Sequence, residues 1–176
     1  MLVKILSAGS GGQGVLTLGN VLGNAAMLAG YYVTFLPEYG AAVRGGTANC
    51  TVCLSDREIA SPVASAPDIL LAMNEPSVTK FISRVHEKGI LIYNSSLMKE
   101  RPVREDIEIE GIEATETALR LGEVRSANMV ALGGLLRRLD FLTRDHMVQS
   151  LETFLGSTGR RLETSLRALD AGLEHV

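Results

Sequence analysis

Short apolar runs and helical-period stretches take turns along this chain, and each predicts one element. Leu2-Val3-Lys4-Ile5-Leu6 is a compact apolar run and reads as a first strand. Residues 15–29 then place Val15, Leu18, Leu22, Ala25, Ala26 and Ala29 at helical spacing, and Ala29-Gly30 supplies a stop. Gly19 and Gly23 lie four apart on that helix, on a face that lets it approach a sheet closely. Strands follow over 31–36, ended by Pro37, and over 47–54, with a short third at 58–60. Ile69 to Met73 and Ile90 to Tyr93 are continuous apolar runs, the pattern of strands buried on both faces. A helix over 76–87 separates them, with Pro76 near its first turn and Gly89 beyond its end. Residues 97–106 are charged and exposed in pattern, 107–112 is a last strand, and helices cover 116–122, 128–139, 145–155 and 160–173.

Strands alternating with helices predict an α/β fold: a Rossmann-like, mostly parallel sheet with helices on both faces, in three α/β/α layers. No repeat or low-complexity linker interrupts it, so residues 1–176 read as a single domain. In such sheets ligands sit off the carboxyl ends of the strands. Four segments should gather there: Gly9–Gly14, Pro37–Gly46, Asn74-Glu75 and Asn94-Ser95. The direction of the strand at 47–54 stays open, and with it the placement of the second segment.

The first of these segments carries the strongest chemical signal. Gly9, Ser10, Gly11, Gly12, Gln13 and Gly14 follow a strand and open a helix with the spacing G-x-G-x-x-G. Glycine permits the positive φ of a tight turn and leaves room for an approaching phosphate. The free N–H groups of the next helical turn then face the anion. The same spacing also serves as a plain connecting turn, with Ser10 or Gln13 capping the helix. The second segment holds Tyr39, Gly40, Arg44, Gly45 and Gly46, where glycines flank one guanidinium that would meet an anion or simply pair with Glu38. Asn74 ends a buried strand beside the turn and joins the candidate cofactor-binding set, although Asn there commonly satisfies local backbone. The acidic residue that would hold a nicotinamide ribose is a poor match, because Glu38 stands behind Pro37. No Lys-Ser/Thr follows the glycines, so there is no P-loop.

Composition narrows the remaining classes. A net charge of −3 and eight aromatic side chains without Trp offer neither a basic field nor a stacking platform for nucleic acid. No apolar run approaches membrane-spanning length and the N-terminus reads as a strand, so a cytoplasmic protein is expected. Cys50 and Cys53 spell C-x-x-C within a β-branched, extended segment. Residues three apart on a strand point to opposite faces, so no metal site or disulfide is expected from them. Two cysteines also fall short of the four thiolates of an iron–sulfur cluster. His86, His146 and His175 have no neighbouring nucleophile or ligand set, and no catalytic residue is assigned within this chain alone.

The strings GSGGQGV (9–15), PEYGAAVRGGTANCTVCLS (37–55), IASPVASAPDILLAMNEPS (59–77) and NMVALGGLL (128–136) together resemble the gamma subunit of 2-oxoacid:ferredoxin oxidoreductases, most of all the 2-oxoglutarate type. The likeness runs from residue 3 to about residue 172, with Ser165 standing where many relatives carry Asn. The resemblance implies one share of a hetero-oligomeric enzyme. That complex decarboxylates a 2-oxoacid on thiamine diphosphate, passes electrons through iron–sulfur clusters to ferredoxin, and releases an acyl-coenzyme A. Alpha, beta and usually delta partners would supply the thiamine diphosphate and the clusters. The gamma part is associated with the coenzyme A side of the site, a role that carries over to the Gly9–Gly14 turn and the Tyr39–Gly46 loop, with Arg44 as phosphate or interface contact. Two other readings stand beside it: a freestanding nicotinamide-dependent dehydrogenase, and a nonenzymatic assembly module.

Overall fold

The computed structural model describes residues 1–39 and 47–174. Its six strands are β1 (Leu2–Ser10), β2 (Tyr32–Tyr39), β3 (Thr47–Ser55), β4 (Ile69–Ala72), β5 (Ile90–Asn94) and β6 (Glu108–Ile112). They form one sheet in the order β2-β3-β1-β4-β5-β6. β1, β4, β5 and β6 are mutually parallel, while β3 runs antiparallel to both β1 and β2. The sheet is therefore mixed and mostly parallel, with β3 alone reversed, which resolves the direction left open by the sequence.

Six helices complete the fold: α1 (Val15–Leu28), α2 (Glu75–Phe81), α3 (Ala114–Arg120), α4 (Ala127–Leu136), α5 (Arg144–Leu155) and α6 (Arg160–Leu173). They divide unevenly between the faces. One face carries α1 and α4 against Ile5, Val52, Ile69, Leu71 and Ile92, and α5 and α6 extend the same apolar cluster outward. The other face is covered by α2 and the 3-10 turn Ile82–Arg84, with Val78, Phe81 and Val85 packed on Leu6, Leu70 and Leu91. Nine of the ten α4 residues are buried. That fits its nearly uniform apolar sequence, since a helix without a polar face belongs inside.

Two close backbone approaches set the helix layer. Gly19 lets α1 lie on the sheet, because a Cβ there would stand 2.8 Å from the Phe35 ring and closer still to Cys50 Sγ. α4 crosses α6 at Gly133 and Gly172, where a Cβ on either would run into the other helix's backbone. Polar anchors fix the ends. Glu110 of β6 is gripped by Arg137 and Arg138, the latter at 2.6 Å, and Arg144 pairs with Asp170 at 2.5 Å. His146 closes the capping box of α5 with Thr143.

Several boundaries differ from the sequence expectation for identifiable reasons. Gly9 and Ser10 belong to β1 rather than to the turn, because β3 starts at Thr47 and pairs out to Ser10. β2 runs through Pro37 to Tyr39, which a proline permits on an edge strand that needs no outward N–H bond. No strand forms at 58–60. β1 and β2 occupy both edges of β3, and the following segment covers the sheet instead, burying Ala64 and accepting a Cys53 Sγ–H bond on Pro62 O. The helix expected over 76–87 stops at Phe81 and tightens to 3-10, where Arg104 takes the carbonyls of Ile82 and Val85 at 2.6 and 2.8 Å. Among the described residues no helix is long and apolar enough to cross a membrane.

Gly172→Ala drives its new methyl into the Val130 carbonyl of α4. Such overpacking should lower stability by at least about 1–3 kcal/mol, read from the urea midpoint, whereas Gly11→Ala, in open space, should shift it by under roughly 0.5 kcal/mol.

Candidate functional site

The turn after β1 occupies Gly11 to Gly14 and is shaped by backbone that only glycine adopts comfortably. Gly12 and Gly14 have φ of 93° and 70°. Gly14 is the N-cap of α1, and a Cβ on it would also collide with the Asn128 amide, which donates to Gly14 O at 3.1 Å. Neither Ser10 nor Gln13 caps α1. Its N-terminus has no side-chain cap and no acidic residue in its first turn.

Gln13 instead folds back onto the strand ends. Its Oε1 accepts from Ser10 N–H at 2.7 Å and from Asn74 Nδ2 at 2.8 Å, so both lone pairs are taken. Its Nε2 donates to Met73 O at 3.2 Å. Asn74 also donates to Ser10 Oγ at 2.8 Å and caps α2 through Ser77 N–H at 3.0 Å. On the far side of β4, Asn94 donates to the same Met73 carbonyl at 3.3 Å and to Thr115 Oγ1 at 2.8 Å. One continuous chain of hydrogen bonds therefore joins the carboxyl ends of β1, β4 and β5 to the start of α3.

Of the sequence-derived site residues, Gly9, Ser10, Gly11, Gly12, Gln13, Gly14 and Asn74 come together at this edge. Gly40, Arg44, Gly45 and Gly46 lie outside the described residues, as does the Tyr39 side chain. The flanks of that segment do reach the same edge. Tyr39 pairs with Ala48, Ala48 with Gly9, and Thr47 with Ser10. Glu38 sits within the exposed edge strand opposite Asn49, not beyond a strand end where a ribose would be held.

Behind the turn opens a cleft of about 750 Å3. Its walls are the start of α1 at Gly12, Gly14 and Thr17, the entry to α4 at Arg125 and Ser126, and the α5–α6 corner at Phe154, Arg160 and Arg161. Three arginines and one acidic residue, Glu123, line it, in a chain whose net charge is −3. Sequence reasoning missed these arginines, because Arg125 lies far along the chain from Arg160 and Arg161 and none of the three falls in a motif. The two arginines that open the last helix were a signal, since cations oppose the dipole at a helix N-terminus.

The cysteines lie on opposite faces of β3. Cys50 is packed in the α1 cluster and donates to Val15 O, whereas Cys53 reaches Pro62 O on the other side. Burial pushes the Cys50 thiol up to about 12. Among the described residues no group of three or more His, Cys, Asp or Glu is arranged to hold a metal.

The sequence model of the pyruvate ferredoxin/flavodoxin oxidoreductase family matches residues 4–175. The chain belongs to that family. It is a gamma-type chain of the 2-oxoacid:ferredoxin oxidoreductases. It is 34% identical over 173 residues to ketoisovalerate oxidoreductase subunit VorA of Methanothermobacter thermautotrophicus, covering 98% of this chain and 36% of that one. It is 37% identical over 142 residues to 2-oxoglutarate synthase subunit KorC of Methanothermobacter marburgensis, covering 77% and 76%. The 2-oxoglutarate:ferredoxin oxidoreductase of Magnetococcus marinus, solved with 2-oxoglutarate, coenzyme A and succinyl-CoA bound, superimposes with a TM-score of 0.88 at 25% identity, over 98% of this chain and 30% of that one. The chain thus spans about a third of the length of the VorA and Magnetococcus proteins.

Asn74→Ala removes the α2 cap and the bonds to Ser10 and Gln13, and should cost about 1–3 kcal/mol in denaturant unfolding. Cys50 gives a pH signature. Its folded pKa lies above the unfolded value of 9.0, so stability is unaffected below about 9 and declines as the unfolded chain ionises first. Between about 9 and 12 the loss should approach roughly 1.4 kcal/mol per pH unit, and Cys50→Ala should lack that slope.

Proposed function

We propose that this chain works as the gamma subunit of a 2-oxoacid:ferredoxin oxidoreductase complex, forming the coenzyme A side of its active site. The observation that carries the reading is the uncapped start of α1, framed by Gly12 and Gly14 and opening into the cleft. Free N–H groups and the positive end of a 14-residue helix suit a phosphate. The turn cannot drift, because Gln13 and Asn74 tie it to the ends of β1 and β4. Membership of the family and the coenzyme A bound to the Magnetococcus relative support the same reading.

Bound coenzyme A supplies the thiol that accepts the acyl group. This chain's part is to orient the carrier: α1 holds phosphate, Asn128 fixes the Gly14 carbonyl, and Arg44, outside the described residues, serves as phosphate or interface contact. Alpha, beta and delta partners provide thiamine diphosphate and the iron–sulfur clusters, ferredoxin takes the electrons through the complex, and the isolated chain turns nothing over. The 2-oxoacid itself is left to the partner subunits, and the comparable likeness to VorA and KorC favours neither substrate.

Thr17→Glu tests this directly. Thr17 is exposed at the third position of α1, where a carboxylate complements the helix dipole and should leave stability equal or raised by about 0.3–1 kcal/mol. The same carboxylate confronts the phosphate, so KM for coenzyme A in the assembled complex should rise roughly tenfold or more. An unchanged KM would remove the coenzyme A role.

A further inference from the structure

The sheet has two edges, and the chain guards only one of them. β6 is five residues long, carries Glu108 and Glu110 in ion pairs with Arg137 and Arg138, and has Arg101 donating to the Ile109 carbonyl at 3.5 Å. Short, charged edge strands of that kind resist pairing with another chain. β2, at the other end of the strand order, is eight residues long, and Glu38 is its sole charge. Among the described residues no strand pairs with its outer side. A row of backbone N–H and C=O groups stands open there, and what satisfies such a row is a second extended strand.

The side chains beside that edge are apolar. Met27 and Leu28 at the end of α1 and Tyr32 at the start of β2 are 55%, 47% and 51% exposed. Tyr31 N–H bonds Ala26 O, which folds the end of α1 against the start of β2, so all three flank the same strand end. They offer on the order of 300 Å2 per copy, and with the half-buried Val33, Phe35 and Leu36 the edge approaches the ~600 Å2 per partner at the low end of specific complexes.

Charge and register select the occupant. Residues Tyr32 to Leu36 include no charge and no proline, whereas Pro37 and Glu38 come after them. An antiparallel pair of two such stretches has its centre at Thr34. It sets Tyr32 opposite Leu36 and Val33 opposite Phe35, apolar pairs that stabilise a sheet, and leaves each Glu38 beyond the paired stretch, opposite Gly30. Thr34 Oγ1 is enclosed by its own chain without a hydrogen-bond partner. Rotated about χ1 at the centre of such a pair, it meets the hydroxyl of its own symmetry mate. An uncharged edge attracts no oppositely charged partner, but it is complementary to itself. We propose that β2 joins two copies of this chain about a two-fold axis at Thr34, so that two six-stranded sheets become one. β1 runs parallel to β2, since both run antiparallel to β3, and the two glycine turns therefore emerge at opposite ends of the joined sheet. Each copy keeps its carboxyl edge open, and the pairing is independent of what that edge binds.

Analytical ultracentrifugation of the purified full chain tests the pairing, and a cysteine at the axis tests the register. At tens of micromolar the wild type should sediment at twice the mass of one chain. Tyr32→Lys, at an exposed position, should weaken the dimer at least about tenfold with an unchanged far-UV spectrum, because its charge is set beside the second copy's Leu36. Val103→Lys, at a position 84% exposed and remote from β2 in the chain, should leave the dimer as it is. Thr34→Cys should give a disulfide-linked dimer with oxidised glutathione, in a Cys53→Ala background because Cys53 faces position 34 across β3. Self-pairing is excluded if the chain is monomeric, if Tyr32→Lys leaves the dimer as intact as Val103→Lys does, or if position 34 fails to cross-link. A monomer whose β2 amides gain protection from hydrogen exchange only when partner subunits are added gives the edge to a partner's strand, and excludes it equally.

Discussion

A glycine-rich turn has no side chains of its own to hold its shape, and here a single amide takes over that work. Gln13 leaves the turn and binds the strand end before it, the strand end beside it, and the cap of the next helix. Both lone pairs of its Oε1 are occupied, so the loss of either partner would leave one of them without a donor. The Met73 carbonyl is held from the other side by Asn94, and Asn128 secures Gly14 from above. Four side-chain amides thus do at the carboxyl edge what strand pairing does in the middle of the sheet.

That rigidity leaves the first turn of α1 free. Were Gln13 or Ser10 to cap the helix, its N–H groups would be spent internally. Directing Gln13 backward keeps them open toward the cleft, and the φ of 70° at Gly14 lets the helix start at once. The same economy recurs at α4 and α6, whose uncapped ends border the same space. Close crossing of α4 and α6 at Gly133 and Gly172 holds these two helices together, so the packing in the core and the field at the cleft share one cause.

The sheet faces differ in a way that matches this division. The α1, α4, α5 and α6 side is thick and apolar and presents the cleft at its end. On the other side, α2, a 3-10 turn and an irregular segment suffice, with Arg104 pinning that layer through Ile82, Val85 and Asp106. The chain matches 36% of the length of a relative such as VorA.

Periodicity in the sequence was enough to reveal the strands of the sheet, the helices and the glycine turn, because burial repeats along each element and glycine marks a backbone constraint locally. Alternation also placed Cys50 and Cys53 on opposite faces, where the structure has them. Three things came only with the tertiary structure. The reversal of β3 depends on which strands have free edges, and the missing strand at 58–60 has the same origin, since β1 and β2 already occupy both sides of β3. Whether Gln13 caps α1 or ties strand ends depends on Met73 and Asn74, some 60 residues away. The arginine cleft joins residues 12–17, 125–129 and 151–165, segments that neither share a motif nor adjoin in the chain. Local patterns record what each segment does with its own backbone, whereas a charge constellation arises from how distant helix ends are brought together, and that is decided by packing.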